Sequence, residues 1–200
     1  MTELSLDQAI DRIGLGRFQR KLLAVAGVSW AADAMEVLLI GFVLPSLTAY
    51  WGLSRDQAGF LATTLFVGMM IGAWFWGTVA DRVGRRRVFV STILIGSVGA
   101  LLSAAAPSYE LLLLARLVTG FGIGGTLPVD YAITAEFLPT RQRGRWLVFL
   151  ESFWALGTVV GAALAWLIIP RYPDDGWRIV LALSAVPGLI AFWIRRTIPE

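Results

Sequence analysis

Six apolar stretches alternate along the chain with short polar or turn-rich links, and each approaches or exceeds the roughly 20 helical residues that cross a bilayer core about 30 Å thick. The stretches run Leu22–Leu47, Ala58–Ala80, Val88–Ala106, Leu111–Phe137, Trp146–Pro170 and Ile179–Ile194. The links are Tyr50–Gln57, Asp81–Arg87, Pro107–Glu110, Leu138–Arg145 and Arg171–Arg178. Links this short make sequential helices antiparallel neighbours. The pattern predicts an all-α membrane protein with six transmembrane helices. The polar opening Thr2–Arg12 has no compact apolar core followed by a cleavage site, so it does not read as a secretory signal.

Composition strengthens this reading. Of the 200 residues 57% are hydrophobic and 16% charged, whereas soluble domains carry about a quarter charged residues. The net charge of +3 would suit nucleic acid, but no basic stripe interleaved with aromatic residues exists, so no nucleic-acid partner is expected. Where the basic residues fall matters more. Arg12, Arg17, Arg20 and Lys21 precede the first span; Arg82, Arg85, Arg86 and Arg87 lie in the second link; Arg141, Arg143 and Arg145 lie in the fourth; Arg195 and Arg196 follow the sixth span. The opposite side holds only Arg55, Arg171 and Arg178. This bias places the richer side, with both termini, in the cytoplasm, as an even number of spans requires. The expected location is a cell inner (plasma) membrane.

Cysteine and histidine are absent. That excludes disulfides, Cys/His metal centres, thiol nucleophiles and imidazole bases. No enzyme, metal or cofactor is expected.

Ionisable residues inside the spans carry the chemistry. They are Asp33 and Glu36 in the first, Arg116, Asp130 and Glu136 in the fourth, and Glu151 in the fifth. Each costs about 2.5–3.5 kcal/mol near the bilayer centre, so they should face one another or a water-filled cavity. Asp33 and Glu36, three apart, share a helix face. Arg116 and Asp130 fall within about 40° of one azimuth at 100° per residue, and Glu136 points to the opposite face. Gly120, Gly122, Gly124 and Gly125 lie between Arg116 and Asp130, where backbone can approach a neighbour or a ligand. Pro128 removes a helical hydrogen bond there. Glu151, Trp154 and Thr158 share a face of the fifth span. Five acids against one arginine leave an excess of negative charge in low dielectric, which protons or a cation would relieve. Spans two and five also share Gly-x-x-x-Gly-Ala, as Gly68/Gly72/Ala73 and Gly157/Gly161/Ala162, consistent with two inverted three-helix units and with ordinary close helix packing.

At the second link Gly77-Thr-Val-Ala-Asp81-Arg82-Val-Gly84-Arg85-Arg86 resembles the Gly-x-x-x-Asp-Arg/Lys-x-Gly-Arg-Arg/Lys signature of the major facilitator superfamily, at its place between helices two and three. Arg116-x-x-x-Gly120-x-Gly122-x-Gly124 is similar to the family's fourth-helix arginine motif, and Glu136-x-x-Pro139-x-x-x-Arg143-Gly144 resembles a sugar-porter pattern. The segments Gly16-Arg-Phe-Gln, Ala31-Ala-Asp33-Ala-Met-Glu36 and Glu151-Ser-Phe-Trp154-Ala-Leu-Gly157 are more like the synaptic-vesicle-glycoprotein-related branch, which includes bacterial niacin and aromatic-acid permeases.

The resemblance implies a 3+3 inverted repeat forming half of a twelve-helix fold. Residues 1–21 would be a cytoplasmic segment, 22–194 the N-terminal six-helix domain, and 195–200 the start of the linker to a missing C-terminal half. It implies a secondary active transporter working by alternating access: proton-coupled symport of a small organic ion such as nicotinate or another aromatic carboxylate. Alternatives are an organic-cation or sugar transporter of the same fold, or a non-transporting ligand-binding protein. Asp33 and Arg116 fall where sugar porters pair an aspartate with an arginine for proton coupling. Trp30, Glu36, Gly120, Gly124, Asp130, Glu151 and Trp154 are the expected substrate contacts. Gly77, Asp81, Arg82, Gly84, Arg85, Arg86, Glu136 and Arg143 would form the cytoplasmic gate. The implied partners are the solute, protons, the C-terminal half and the lipid bilayer. Glu151, six residues before Gly157, stands where sugar porters carry a sugar-binding glutamine, which weighs against a sugar.

Overall fold

In the computed structural model, residues 10–12 and 14–196 are described; residues 197–200 of the expected linker and residues 1–9 and 13 of the expected cytoplasmic segment lie outside them. Six helices account for nearly all of it: α1 Arg17–Trp51, α2 Arg55–Val83, α3 Arg85–Ala104, α4 Tyr109–Phe137, α5 Arg143–Ile168 and α6 Gly176–Arg196. All six are long and apolar enough to cross a membrane. The apolar stretches underestimate most of them, because polar residues that end an apolar run in the headgroup layer still continue the hydrogen-bonded helix. The second link shows this most clearly. Expected as Asp81–Arg87, it contracts to Gly84, whose φ of +97° ends α2 and starts α3 in one residue. A side chain at that φ would be strained.

Helix ends follow local chemistry. At the start of α2 the Ser54 hydroxyl accepts from Gln57 N at 3.2 Å and Gln57 Oε1 accepts from Ser54 N at 2.9 Å, a reciprocal cap. Gly52, with φ +62°, closes α1. Both α1 and α4 pass through a proline, Pro45 and Pro128 respectively, without interruption.

The packing follows the repeat. α2 lies on α4 and α5 lies on α1; α3 packs on α4 as α6 packs on α1; α3 and α6 meet each other. Exchanging α1 for α4, α2 for α5 and α3 for α6 maps the first four pairs onto one another and the α3–α6 pair onto itself, as two inverted three-helix units require. The shared glycines explain the match. A Cβ on Gly68 or Gly72 would collide with the α4 backbone at Leu117 and Phe121, and a Cβ on Gly157 would collide with Ala31 of α1. These are small-residue contacts that bring helix backbones together where lipid offers no hydrophobic driving force.

α2 and α5 keep apolar outer faces, with Trp74 77% and Trp166 75% exposed. In a hydrocarbon solvent such faces cost nothing. At the end where α1 stops, Trp51, Tyr50 and Trp177 make ring contacts of 5.2–5.8 Å, an aromatic cluster suited to the membrane interface.

Candidate functional site

Polar side chains are gathered where α1, α3, α4 and α6 meet. Arg116, 0% exposed, reaches from α4 to α1 and pairs with Glu36, Nη2 to Oε2 at 3.1 Å. Its Nε donates to Ser103 Oγ of α3 at 3.0 Å, and Nη2 lies 3.4 Å from Thr119 Oγ1. The other Glu36 oxygen accepts from the Ser184 hydroxyl of α6. One ion pair therefore ties four helices together. Arg116 Nη1, also buried, has no hydrogen-bond partner.

This corrects one expectation. The partner of Arg116 is Glu36, not Asp33. α4 begins at the end where α1 stops, so Arg116 lies toward that end, and Glu36 is one turn nearer to it than Asp33, about 4.5 Å along the axis. Asp33 is 8% exposed, its Oδ2 accepts no hydrogen bond, and it lies within electrostatic reach of Asp130 and Glu36. Asp130, 1% exposed, sits below Arg116 on α4. Three acids and one arginine are thus buried in one region.

A second cluster lies further along α1 and α4, toward the opposite end. Trp30, 5% exposed, is edge-on to Tyr131 (centroids 5.0 Å apart) and to Trp154 (5.9 Å). The Tyr131 hydroxyl donates to Glu151, which is exposed. Trp30, Trp154 and Glu151, each expected as a substrate contact, lie in this one cluster. Gly120 and Gly124, expected at the substrate, are instead filled on their open side by the α2 backbone at Leu65 and Met69. Their role is helix packing.

At the end carrying the arginine-rich motif, Arg85 pairs with Glu136. Arg143 Nη2 lies 3.5 Å from Leu138 O. Arg86 is half-buried; Asp81 and Arg82 are exposed at the close of α2 and make neither of these contacts. Gly77 has open space beside it. Asp81, expected as part of the cytoplasmic gate, is exposed near the close of α2, which runs on to Val83. Asp11 clamps the fourth link through both carboxylate oxygens, taking Thr140 N at 2.6 Å and Thr140 Oγ1 at 3.0 Å. Asp11, Ser103, Tyr131 and Ser184 were missed from the sequence. Serines in membrane helices are too common to single out, and the Asp11–Thr140 contact spans 129 positions.

Residues 22–200 match the profile of the Major Facilitator Superfamily. The chain is 41% identical, over all its length and 39% of the relative's, to organic cation/carnitine transporter 7 of Arabidopsis thaliana. It is 36% identical to the niacin transporter NiaP of Acinetobacter baylyi, over 98% of this chain and 44% of that one. It is 38% identical to the synaptic vesicle 2-related protein of Bos taurus, over 94% and 34%. The chain thus spans less than half the length of each of these relatives. Among solved structures, the inward-open xylose transporter XylE from E. coli superposes with a TM-score of 0.82 at 20% identity, over 91% of this chain and 48% of that one.

Proposed function

The chain belongs to the major facilitator superfamily, and from that premise we propose that it forms the N-terminal half of a proton-coupled symporter for a small organic anion, nicotinate or another aromatic carboxylate. Both termini of the six-helix unit face the cytoplasm of an inner (plasma) membrane, and a second half completes the pathway. The observation that carries this reading is the buried Arg116. Its Nη2 is held by Glu36 while Nη1 stays open, and a second buried acid, Asp33, lies one turn along the same helix. A guanidinium has donors for two acceptors at once. Protonation of the α1 acids frees Arg116 to meet a substrate carboxylate, and its return to an acid favours release. The Trp30–Tyr131–Trp154 cluster offers ring faces for the pyridine. The likeness to niacin transporters in Acinetobacter baylyi and Bacillus subtilis supports the choice of nicotinate.

The test is uptake of labelled nicotinate into proteoliposomes containing the full-length protein, with and without an inward proton gradient. Accumulation that requires the gradient supports the reading; equal uptake in both conditions overturns the coupling. One observation favours a second reading. Glu151 beside three aromatic rings is a setting that attracts organic cations, and one relative is named an organic cation/carnitine transporter. A labelled quaternary amine in the same vesicles separates the two.

The Arg85–Glu136 pair would act as part of the inner gate, with Asp11 holding the neighbouring link. Its side chains are 40% and 56% exposed, so it contributes at most about 1 kcal/mol. Glu136→Gln should shift the balance of inward- and outward-open states by no more than about fivefold. Thiol labelling of a cysteine placed at the exposed Gly144, in a background without other cysteines, should speed up accordingly. An unchanged rate would remove the pair from the gate.

A further inference from the structure

Beside the ion pair, α1, α3, α4 and α6 enclose a cavity with about 20 Å³ open to the centre of a water-sized particle, room for a single small occupant. Its polar wall consists of oxygen groups: Ser29, Asp33 and Glu36 from α1, Thr92 and Ser97 from α3, Ser184 from α6. Three of these are already engaged. Glu36 is neutralised by Arg116 and holds the Ser184 hydroxyl. The Thr92 hydroxyl donates to Phe89 O at 2.8 Å and accepts from Thr126 at 3.2 Å. What remains is one carboxylate and two hydroxyls: Asp33, with Oδ2 unpartnered, and Ser29 and Ser97, 1% and 6% exposed, neither with a hydrogen-bond partner among the described residues.

An ionised carboxylate buried in hydrocarbon needs a compensating charge. A proton alone would satisfy Asp33 but leaves two buried hydroxyls and an occupiable space unexplained. The ligand set is hard and purely oxygen, which disfavours transition metals. One uncompensated carboxylate suits a single positive charge, and among the described residues no cluster of three or more acids, histidines or cysteines is placed to hold a metal ion. Gly188 keeps the α3–α6 crossing open, since a Cβ there would stand 2.5 Å from Ser97 Oγ.

We propose that this cavity is a monovalent-cation site, fitted to sodium, with Asp33, Ser29 and Ser97 as its protein ligands. The proposal rests on the reading of Asp33 as the coupling acid and extends it: sodium and a proton exclude each other at one carboxylate. The charged groups within electrostatic reach of Asp33 are Glu36 on its own helix and Asp130 from α4; α3 and α6 supply hydroxyls.

The test is sodium titration of the purified full-length protein at constant ionic strength, with potassium and choline as replacements, read by binding of labelled sodium. A saturable signal for sodium alone is expected. Asp33→Asn should abolish it, and Ser97→Ala should weaken apparent affinity by about tenfold. Gly96→Ala is the variant least prone to misfold, because its Cβ would meet Ile123 Cγ1 at an ordinary 3.6 Å; the added methyl narrows the cavity and should also weaken binding. A sodium signal no different from choline overturns the site, as does full affinity in both Ser97→Ala and Gly96→Ala. Proton-driven uptake measured in parallel separates the two readings. Sodium silence with uptake intact overturns the cation site alone, whereas sodium binding without gradient-driven uptake counts against the symport reading alone.

Discussion

Asp33→Asn in the full-length protein is expected to abolish proton-driven accumulation of substrate while leaving exchange of substrate for substrate. Asparagine has the size of the protonated acid but can neither release a proton nor carry a charge. Asp33 lies 8% exposed, close to two other acids, while the one arginine nearby is held by Glu36. Its ionised form therefore needs a rearrangement that brings Arg116 or another cation to it. That requirement couples protonation to conformation, since a group biases an equilibrium only by binding its two states unequally. One proton driven by a gradient of one pH unit supplies about 1.4 kcal/mol, a tenfold accumulation. The variant should equilibrate substrate without exceeding the outside concentration. Exchange needs both conformations but no net proton movement, so it persists. A variant that still accumulates tenfold would remove Asp33 from coupling; one that loses exchange as well would make Asp33 part of the binding or moving machinery.

Much of this architecture was legible because a bilayer imposes a simple rule: about 20 apolar residues per crossing, with every backbone group paired internally. The rule locates spans but not helix ends, and so Asp81–Arg87 looked like a loop while the chain turns only at Gly84. The shared face of Asp33 and Glu36 followed from their spacing alone. Which of them holds Arg116 did not, because that depends on the relative height of two helices 80 positions apart in sequence. The glycines of α4 illustrate the same limit. Their closeness to something was evident, but that it is the α2 backbone and not a ligand depends on which neighbour the fold supplies. Tyr131 went unnoticed because a tyrosine on a membrane helix carries no signal until Glu151 is brought to its hydroxyl.

The ion pair at the centre separates stability from transport, and Glu36→Ala tests that separation. Removing one member of a buried pair leaves the other charged and unpaired, at a cost of about 3–5 kcal/mol. Here Arg116 would keep Ser103 and Thr119 as hydrogen-bond acceptors but lose its only anion. The Ser184 hydroxyl would lose its tie to α1, loosening α6 from it. Glu36→Ala should therefore lower the thermal midpoint of the detergent-solubilised protein and reduce its monodisperse yield. Replacing both members, Glu36→Leu with Arg116→Met, removes the stranded charge and fills the space with apolar side chains. Such replacements are often neutral or stabilising, so the double variant should recover most of the lost stability. It should recover no transport, having lost the only buried cation among the described residues. A double variant as unstable as the single one would mean that the four-helix junction depends on the hydrogen bonds to Ser103 and Ser184 and not on charge balance. A stable double variant that still accumulates substrate would move the site away from Arg116, toward Glu151 and its aromatic neighbours.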